Sequence, residues 1–334
     1  MLTIAVNTKM KTVAVVVTLL ALCSGHIIPS ENEGNSRYVW KPDAEGEPVL
    51  VDLEEPVDEE LLKTRNGANN QYLLHTRSNP HYPQLLIYGN ANSIVASAYD
   101  SRRPLNVIVH GWSGEDLNAP YYVTTTWALL AAQHCNVIVV DWRAVANSNY
   151  ATAATGVPSV GEHLGEFLTW LLNVIGGNWN QVHLIGFGLG AHVVGTAGRH
   201  AGGRPARITG LDPAGPLWQA NANRLSSEDG RYVEVIHTDG RGFGNFDPSG
   251  DADFYPNGGV HAQPGCATNI CSHNRATQLF DATIRFSIYG RQCVDFSQAL
   301  QGDCDGAEFP MGNSDVNKKG TGIFGFHVAA NWLF

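Results

Sequence analysis

The chain of 334 residues has few basic side chains, and this scarcity limits its partners. It contains 21 lysines and arginines against 31 aspartates and glutamates, which gives a formal net charge of −10. A protein that binds nucleic acid, or docks by charge alone on an anionic membrane, needs a basic surface. We therefore predict no nucleic-acid partner. The acidic charge does not exclude neutral lipid as a ligand, because an apolar patch can bind lipid without opposite charge.

Long apolar runs are also scarce, and the one near the amino terminus is typical of a secretory signal. Lys9 and Lys11 precede an apolar run at 13–22, and small residues follow at 23–25. The run is short for a bilayer span, and no later segment is a transmembrane candidate. We predict a secreted protein with a signal peptide at 1–25, an acidic extension at 26–65 and one globular domain at 66–334. The extension either lies over the domain or is removed.

N-glycosylation sequons are absent and cysteines are few, so the covalent features are limited. Cys23 lies in the predicted signal peptide, which leaves five cysteines. In an oxidising compartment the last four should pair, and proximity favours Cys266–Cys271 and Cys293–Cys304. Cys135 would then be a buried free thiol. The alternative is a zinc site made by three of the late cysteines with His273. We favour disulfides and expect no metal.

Short apolar runs rich in β-branched residues recur from residue 71 onward and predict buried strands. They occupy 106–110, 136–142, 182–186, 208–212 and 232–237. Continuous apolar strands are covered on both faces, as in a parallel sheet. Helical patterns fall between them, at 160–174 and 191–199. The alternation predicts a three-layer α/β domain whose sites lie at the carboxyl ends of the strands.

The segment 183–192 carries the pattern with the clearest chemistry. It reads His-Leu-Ile-Gly-Phe-Gly-Leu-Gly-Ala-His, a strand that turns sharply into a helix through Gly186, Gly188 and Gly190. This is the context of the nucleophile elbow Gly-x-Ser-x-Gly. There the flanking glycines allow close packing of strand and helix, and the central residue exposes its side chain. Here the central residue is Gly188, which supplies no nucleophile.

Two downstream residues complete the constellation. Asp212 ends a predicted strand, and His273 follows Cys271 and Ser272. The order nucleophile, acid, histidine is that of α/β-hydrolases, in which the acid fixes the tautomer of the imidazole that takes the serine proton. In isolation, the segment 186–191 also fits a dinucleotide-binding fingerprint, with Asp212 as its acidic residue. The flanking motifs disfavour that interpretation, and we expect no cofactor.

Motifs across 70–334 resemble the pancreatic-lipase family, and within it the insect secreted lipases and phospholipase A1 proteins. They are Val-His-Gly-Trp at 109–112, Val-Asp-Trp at 140–142, Gly-Leu-Asp-Pro-Ala at 210–214, Ile-His-Thr-Asp at 236–239, Phe-Tyr-Pro-Asn-Gly-Gly at 254–259 and Cys-Ser-His at 271–273. The resemblance implies an α/β-hydrolase fold, with a mostly parallel central sheet and helices on both faces. It places the family's acid on Asp212, its histidine on His273 and its backbone oxyanion donors on Trp112 and Leu189. Its serine falls on Gly188.

The chain departs from the family in three further places. Only four residues separate Cys266 from Cys271, where the family has its lid. Four residues extend at most about 14 Å, too little for a helical lid. The segment 239–254 is also short for a loop that covers substrate, and both features resemble the phospholipase A1 branch. The sequence ends at Phe334, so we expect no carboxyl-terminal β-sandwich and no colipase partner.

These observations predict a secreted lipase homologue that lacks the catalytic serine and does not hydrolyse esters as a lipase does. We expect it to bind or carry a lipid or fatty-acyl ligand, or to serve as a storage protein as the insect yolk proteins do. The alternative is an active lipase or phospholipase A1 that uses an atypical nucleophile or a water molecule activated by His273.

Overall fold

The computed structural model describes residues 37–42, 48–112 and 120–329. The predicted signal peptide lies outside these ranges, as do 26–36 and 43–47 of the predicted extension. The strands are β1 (Tyr38–Pro42), β2 (Pro48–Asp52), β3 (Gln71–His75), β4 (Gln84–Leu86), β5 (Leu105–Val109), β6 (Asn136–Asp141), β7 (Val182–Phe187), β8 (Arg207–Leu211), β9 (Val233–Ile236), β10 (Ala252–Pro256), β11 (Tyr289–Gln292), β12 (Glu308–Pro310) and β13 (Gly322–Phe326). The α-helices are α1 (Glu59–Thr64), α2 (Ala91–Val95), α3 (Pro120–Ala132), α4 (Arg143–Ala146), α5 (Tyr150–Ile175), α6 (Leu189–His200), α7 (Asn269–Arg285) and α8 (Phe296–Gln301). Short 3-10 helices occupy Gly67–Asn69, Trp179–Gln181, Ser227–Asp229 and Asn257–Gly259.

One large sheet forms the middle layer of the domain. Its strands lie in the order β12-β11-β13-β10-β9-β8-β7-β5-β6-β3-β4. Neighbours from β13 to β6 are parallel, and antiparallel strands complete both edges. Every residue of β5, β6, β8 and β9 is buried, as expected for strands covered on both faces. The predicted α/β-hydrolase fold is confirmed.

Alternate strand residues face two separate hydrophobic cores. Val107 and Leu184 belong to a core that includes α5 and α6. Their neighbours Ile108 and Ile185 belong to a second core that includes α3 and α7. Because successive side chains of a strand point to opposite faces, these helices cover opposite faces of the sheet.

The strands predicted from apolar runs are present as β5 to β9, with ends that differ by one residue. The helix predicted at 160–174 begins ten residues earlier, at Tyr150, and passes through Pro158. A methyl group on Gly161 would lie 2.5 Å from Thr196 Cβ, and one on Gly165 would lie 2.9 Å from the carbonyl oxygen of Ala197. Small residues therefore let α5 and α6 approach closely. The ten residues that the prediction missed, 150–159, are mostly small and include Pro158, so they lack the apolar pattern that signals a helix.

The described part of the predicted extension packs onto the domain. Strands β1 and β2 form an antiparallel hairpin. Val39 and Leu53 are buried in the core that includes α5. The side chain of Asp58 accepts the N–H of Leu61 at 2.8 Å and caps α1, while the N–H of Asp58 donates to Thr152 Oγ1 of α5 at 2.8 Å.

Disulfides join Cys266 with Cys271 and Cys293 with Cys304, the pairs that proximity in the sequence favours. Cys135 is a buried free cysteine, and burial raises the pKa of its thiol to about 12. Cysteines in disulfides supply no thiolate for a zinc ion, so the zinc alternative is wrong. Across the described ranges no cluster of His, Cys, Asp and Glu could hold a metal ion, and no helix is both long and apolar enough to cross a membrane.

A buried ion cluster anchors the loop before β13 to the sheet. Glu234 of β9 is fully buried, with Arg207 Nη2 3.0 Å from its Oε1 and Lys318 Nζ in contact with its Oε2. Arg207 also donates to the carbonyl oxygens of Gly312, at 2.6 Å, and Asn313, at 3.0 Å. The single negative charge of Glu234 is therefore shared by two buried basic side chains, and the cluster holds the loop in place.

We expect Glu234→Gln to lower the free energy of unfolding by about 3–5 kcal/mol, because two buried cations lose their carboxylate. Urea denaturation measures this change. The matched control is Glu308→Gln, which breaks an exposed pair with Arg291 at 2.8 Å and should cost about 1 kcal/mol or less. Equal effects of the two substitutions would contradict the assignment of a structural role to the cluster.

Candidate active site

Strand β7 turns into α6 at Gly188, in a bend that needs unusual backbone angles. Gly188 has φ 55° and ψ −120°, in the region that glycine adopts readily and other residues do not. Its N–H donates to the carbonyl oxygen of Leu211 at 3.1 Å. Its own carbonyl oxygen accepts the N–H groups of Ala191 and Ala214, both at 3.1 Å. The bend is thus bonded to the helix that follows it and to the end of β8.

The glycines on either side of the bend bring β7, α6 and β5 into close contact. A methyl group on Gly190 would overlap the carbonyl oxygens of Val109 and His110. One on Gly186 would overlap the carbonyl oxygen of Gly190. Because these are backbone atoms, a side chain could enter only if the helix moved away from the sheet. Backbone packing therefore explains the two flanking glycines of the pattern.

Asp212 and His273 form a buried hydrogen-bonded pair beside the bend. Asp212 follows β8 directly and is fully buried, and its Oδ2 accepts a hydrogen bond from His273 Nδ1 at 2.6 Å. Its Oδ1 accepts the N–H groups of Thr238, at 2.7 Å, and Asp239, at 3.1 Å. With Nδ1 donating to the carboxylate, Nε2 of a neutral imidazole is the ring's basic atom. Both oxygens of Asp212 are engaged, which argues against a ribose partner and the dinucleotide alternative.

His273 turns its other ring nitrogen towards Gly188. A Cβ atom built on Gly188 would lie 3.2 Å from His273 Nε2 and 3.7 Å from its Cε1. Among the described residues, none forms a hydrogen bond with Nε2, and His273 is 8% exposed. The structure therefore brings Gly188, Asp212 and His273 together in the order of a hydrolase triad. No hydroxyl group stands at the first position.

Trp112 and Leu189, the predicted oxyanion donors, lie on the two segments that flank the bend. Leu189 is the first residue of α6, so its N–H has no acceptor within the helix. Gly111, which precedes Trp112, has its Cα 3.8 Å from the Cβ position of Gly188. The indole N–H of Trp112 donates to the carbonyl oxygen of Ser148 at 2.9 Å and anchors this loop. The oxyanion role of both residues stays a prediction.

His110 positions the same loop, although the sequence indicated it only as part of the motif at 109–112. Its Nε2 accepts the N–H of Trp142 at 3.1 Å, and its carbonyl oxygen accepts the indole N–H of Trp142 at 2.8 Å. The two rings also stack, with centroids 5.3 Å apart. This pair links the ends of β5 and β6, and so fixes where the chain leaves β5 towards Trp112.

Asp239 is a second buried acid that sequence reasoning did not select as a site residue. Its N–H donates to Asp212, and its carboxyl group accepts Asn269 Nδ2 and the N–H of Phe243, each at 2.8 Å. Burial and then the charge of Asp212 raise the pKa of Asp239 to about 8. Its position in the sequence was the one indication that Asp239 belongs to the site, because it comes shortly after β9, as Asp212 comes after β8. Carboxyl ends of parallel strands meet at one edge.

The two disulfides lie differently with respect to this site. Cys266–Cys271 closes a loop at the first turn of α7, two residues before His273. Cys293–Cys304 belongs to a separate small cluster with Tyr255 and Ala299. Only the first disulfide is therefore attached to an element that carries a site residue.

Comparison with known proteins identifies the family. The sequence model of the lipase family, described as "Lipase", matches residues 44–320. The chain belongs to the lipase family. This member is 37% identical over 215 residues to the pancreatic triacylglycerol lipase of Homo sapiens, covering 61% of this chain and 45% of the relative. It is 35% identical over 277 residues to the human hepatic triacylglycerol lipase, and the match covers 73% of this chain and 55% of the relative.

A third lipase relative extends the match further along the chain. It is lipase member H of Oryctolagus cuniculus, 32% identical over 278 residues, with 79% of this chain and 58% of the relative covered. The chain thus spans about half the length of the curated relatives it matches. The family match begins within the predicted extension, upstream of the predicted domain start at 66.

The raised pKa of Asp239 gives the stability of the fold a defined pH dependence. The pKa of an Asp side chain in the unfolded chain is about 4. Below that pH the protonated Asp239 contributes fully to the stability of the folded state, and this contribution is lost as the pH rises towards its folded pKa of about 8. Asn cannot ionise, so we expect Asp239→Asn to gain stability relative to the wild type between pH 4 and 8. Urea denaturation at several pH values measures the difference. A difference that stays constant with pH would contradict this.

Proposed function

We propose that this lipase-family protein no longer catalyses serine-dependent ester hydrolysis and instead binds or carries a lipid or fatty-acyl ligand outside the cell. One observation carries the proposal. The residue that faces His273 Nε2 is Gly188, which has no hydroxyl group. A Cβ atom at this position would lie 3.2 Å from Nε2. The imidazole, although held by Asp212 as in a hydrolase, has no side-chain nucleophile to deprotonate.

Among the residues that the structure describes, those next to Gly188 and His273 in the chain offer no substitute nucleophile. Gly188 is flanked by Phe187 and Leu189, neither of which has a hydroxyl or thiol group. Ser272 precedes His273 but is fully buried, where its Oγ bonds with His261 Nδ1 at 2.9 Å and accepts the N–H of Gln263 at 3.1 Å. Loss of the serine alone lowers kcat of a serine hydrolase by about 10⁶-fold. This corresponds to about 8 kcal/mol of activation barrier.

Several observations support a lipid ligand and an extracellular location. Two relatives are named triacylglycerol lipases, and Phe187 and Phe243 place their rings 4.4 and 5.7 Å from the ring of His273. The two disulfides support an oxidising compartment, as does the signal sequence predicted at 1–25. A storage role like that of the insect yolk proteins is a second form of the same proposal.

The competing candidate is an active lipase or phospholipase A1. The intact pair of Asp212 and His273 favours it, because Nε2 could activate a water molecule in place of a serine. The two candidates make opposite predictions for the wild-type protein. Only the active enzyme would hydrolyse a short-chain ester in a reaction that His273→Ala abolishes.

We expect Gly188→Ser to create measurable esterase activity, because its Cβ would stand 3.2 Å from His273 Nε2. A rise over the wild type of about 10²-fold or more would recover a small part of the about 10⁶-fold that a serine contributes. The assay measures hydrolysis of p-nitrophenyl butyrate and labelling by a fluorophosphonate. Gly188→Ala is the matched control, because it carries the same backbone strain of about 1–3 kcal/mol without a hydroxyl.

Wild-type protein and Gly188→Ala should both be silent and unlabelled. Wild-type hydrolysis that disappears in His273→Ala would overturn the proposal and establish the alternative. A folded but silent Gly188→Ser protein would contradict the assumption that the missing serine alone accounts for inactivity. In that case the oxyanion donors or the ligand cleft must also have changed.

A further inference from the structure

Two groups that favour an anion converge on the space beside Gly188. The first is the N-terminus of α6, a helix of 12 residues whose N-cap Gly188 provides no capping side chain. The opening N–H groups of a helix lack internal acceptors and attract negative charge. The second is His273, which is 8% exposed and whose Nε2 forms no hydrogen bond with any described residue. Among the described residues, none accepts a hydrogen bond from the N–H of Leu189 or from His273 Nε2.

The glycine leaves room for an acceptor between these groups. Apart from His273 and the adjoining residues of the chain, the nearest atom to a Cβ on Gly188 is the Cα of Gly111, at 3.8 Å. Any larger residue would place its Cβ in this space, 3.2 Å from Nε2. The side chain that would otherwise separate His273 from the start of α6 is therefore missing, and a ligand atom can contact both.

We propose that Gly188, the N–H of Leu189 and His273 Nε2 form a receptor for the carboxylate head group of a long-chain fatty acid. The inference rests on the proposed function and deepens it by naming the ligand class. One carboxylate oxygen takes a hydrogen bond from Nε2–H and the other from the N–H of Leu189. The anion binds together with one proton taken up from the solvent, which lies on the line between Nε2 and the ligand oxygen, so the charge balances and no carbon–oxygen bond of the ligand is made or broken.

Charge and surroundings select this head group over other anions. Asp212 already accepts the hydrogen bond of His273 Nδ1, so the single proton at Nε2 matches a ligand with one negative charge and not a dianion. Burial and then the charge of Asp212 raise the pKa of Asp239, which reduces the negative charge that a bound anion meets there. Phe187 and Phe243 lie beside the imidazole, at centroid distances of 4.4 and 5.7 Å. Apolar rings suit an anion attached to a hydrocarbon chain better than a fully hydrated inorganic one.

The test compares ligands that differ only in the head group. Delipidated full-length protein is titrated at pH 7 with palmitate, methyl palmitate and 1-hexadecanol below their aggregation limits, by calorimetry. We expect the wild type to bind palmitate about 10- to 100-fold more tightly than the other two, as charge-assisted hydrogen bonds allow. In protein labelled with ¹⁵N-histidine, palmitate should shift the Nε2 resonance of His273, and methyl palmitate should not.

Three variants test whether the preference for palmitate depends on Gly188 and His273. Gly188→Ala fills the space and His273→Ala removes the donor, so each should reduce the preference to about threefold or less. His200→Ala is the matched control, because His200 is exposed at the far end of α6 and should keep the preference. His273→Ala does not alter the bend, so it decides the case if Gly188→Ala fails to fold.

Equal affinities of the wild type for palmitate and methyl palmitate would overturn the inference, even if the protein is silent as an esterase. A preference that survives in His273→Ala would overturn it as well. Failure of the proposed function has a different signature, the release of palmitate from methyl palmitate by the wild-type protein. The two failures are therefore measured separately.

Discussion

The close contact of β7 and α6 with β5 is the constraint on which the site depends. Gly186 and Gly190 leave no room for a Cβ atom between backbone segments. This contact forces the chain to reverse direction within one residue, and Gly188 takes the positive φ that the reversal needs. The geometry of a nucleophile elbow is therefore a consequence of backbone packing, and it is present here without any side chain at the central position.

The same separation of geometry from chemistry explains why a hydrolase-like pair can remain without a nucleophile. Asp212 accepts two backbone N–H groups from the segment after β9 in addition to His273 Nδ1. Its carboxylate thus joins the ends of β8 and β9 to α7. A buried N–H without an acceptor is costly, so the fold itself retains Asp212. Its presence therefore has a structural explanation that does not require catalysis.

The sequence allowed good prediction where one residue type has one physical reason to be present. Buried β-branched runs indicated β5 to β9, and the glycines at 186 and 190 indicated the strand-to-helix contact. The order of Asp212 and His273 indicated the pair. Tertiary contacts decided the rest. The first ten residues of α5 were missed because they are mostly small residues and include Pro158, so they carry no apolar stripe that would indicate a helix.

Asp239 shows the same limit within the site. The pKa of its carboxyl group is raised by burial beside Asp212, and Asn269 and Phe243 are its other hydrogen-bond partners. Asn269 lies 30 residues further along the chain, and nothing local in the sequence indicates that the two side chains meet. Position after a strand was the only available indication, and it specifies the location of a side chain but not its charge.

The disulfide between Cys266 and Cys271 has a kinetic consequence for the cleft beside α7. Its two Cα atoms are 5.3 Å apart, and a loop of four residues tied in this way cannot swing over His273 and back. Enzymes with a mobile cover wait for it to open, on a timescale of microseconds to milliseconds. On this side of His273 the described residues include no such cover, so entry of the fatty acid proposed above would be governed there by encounter and desolvation.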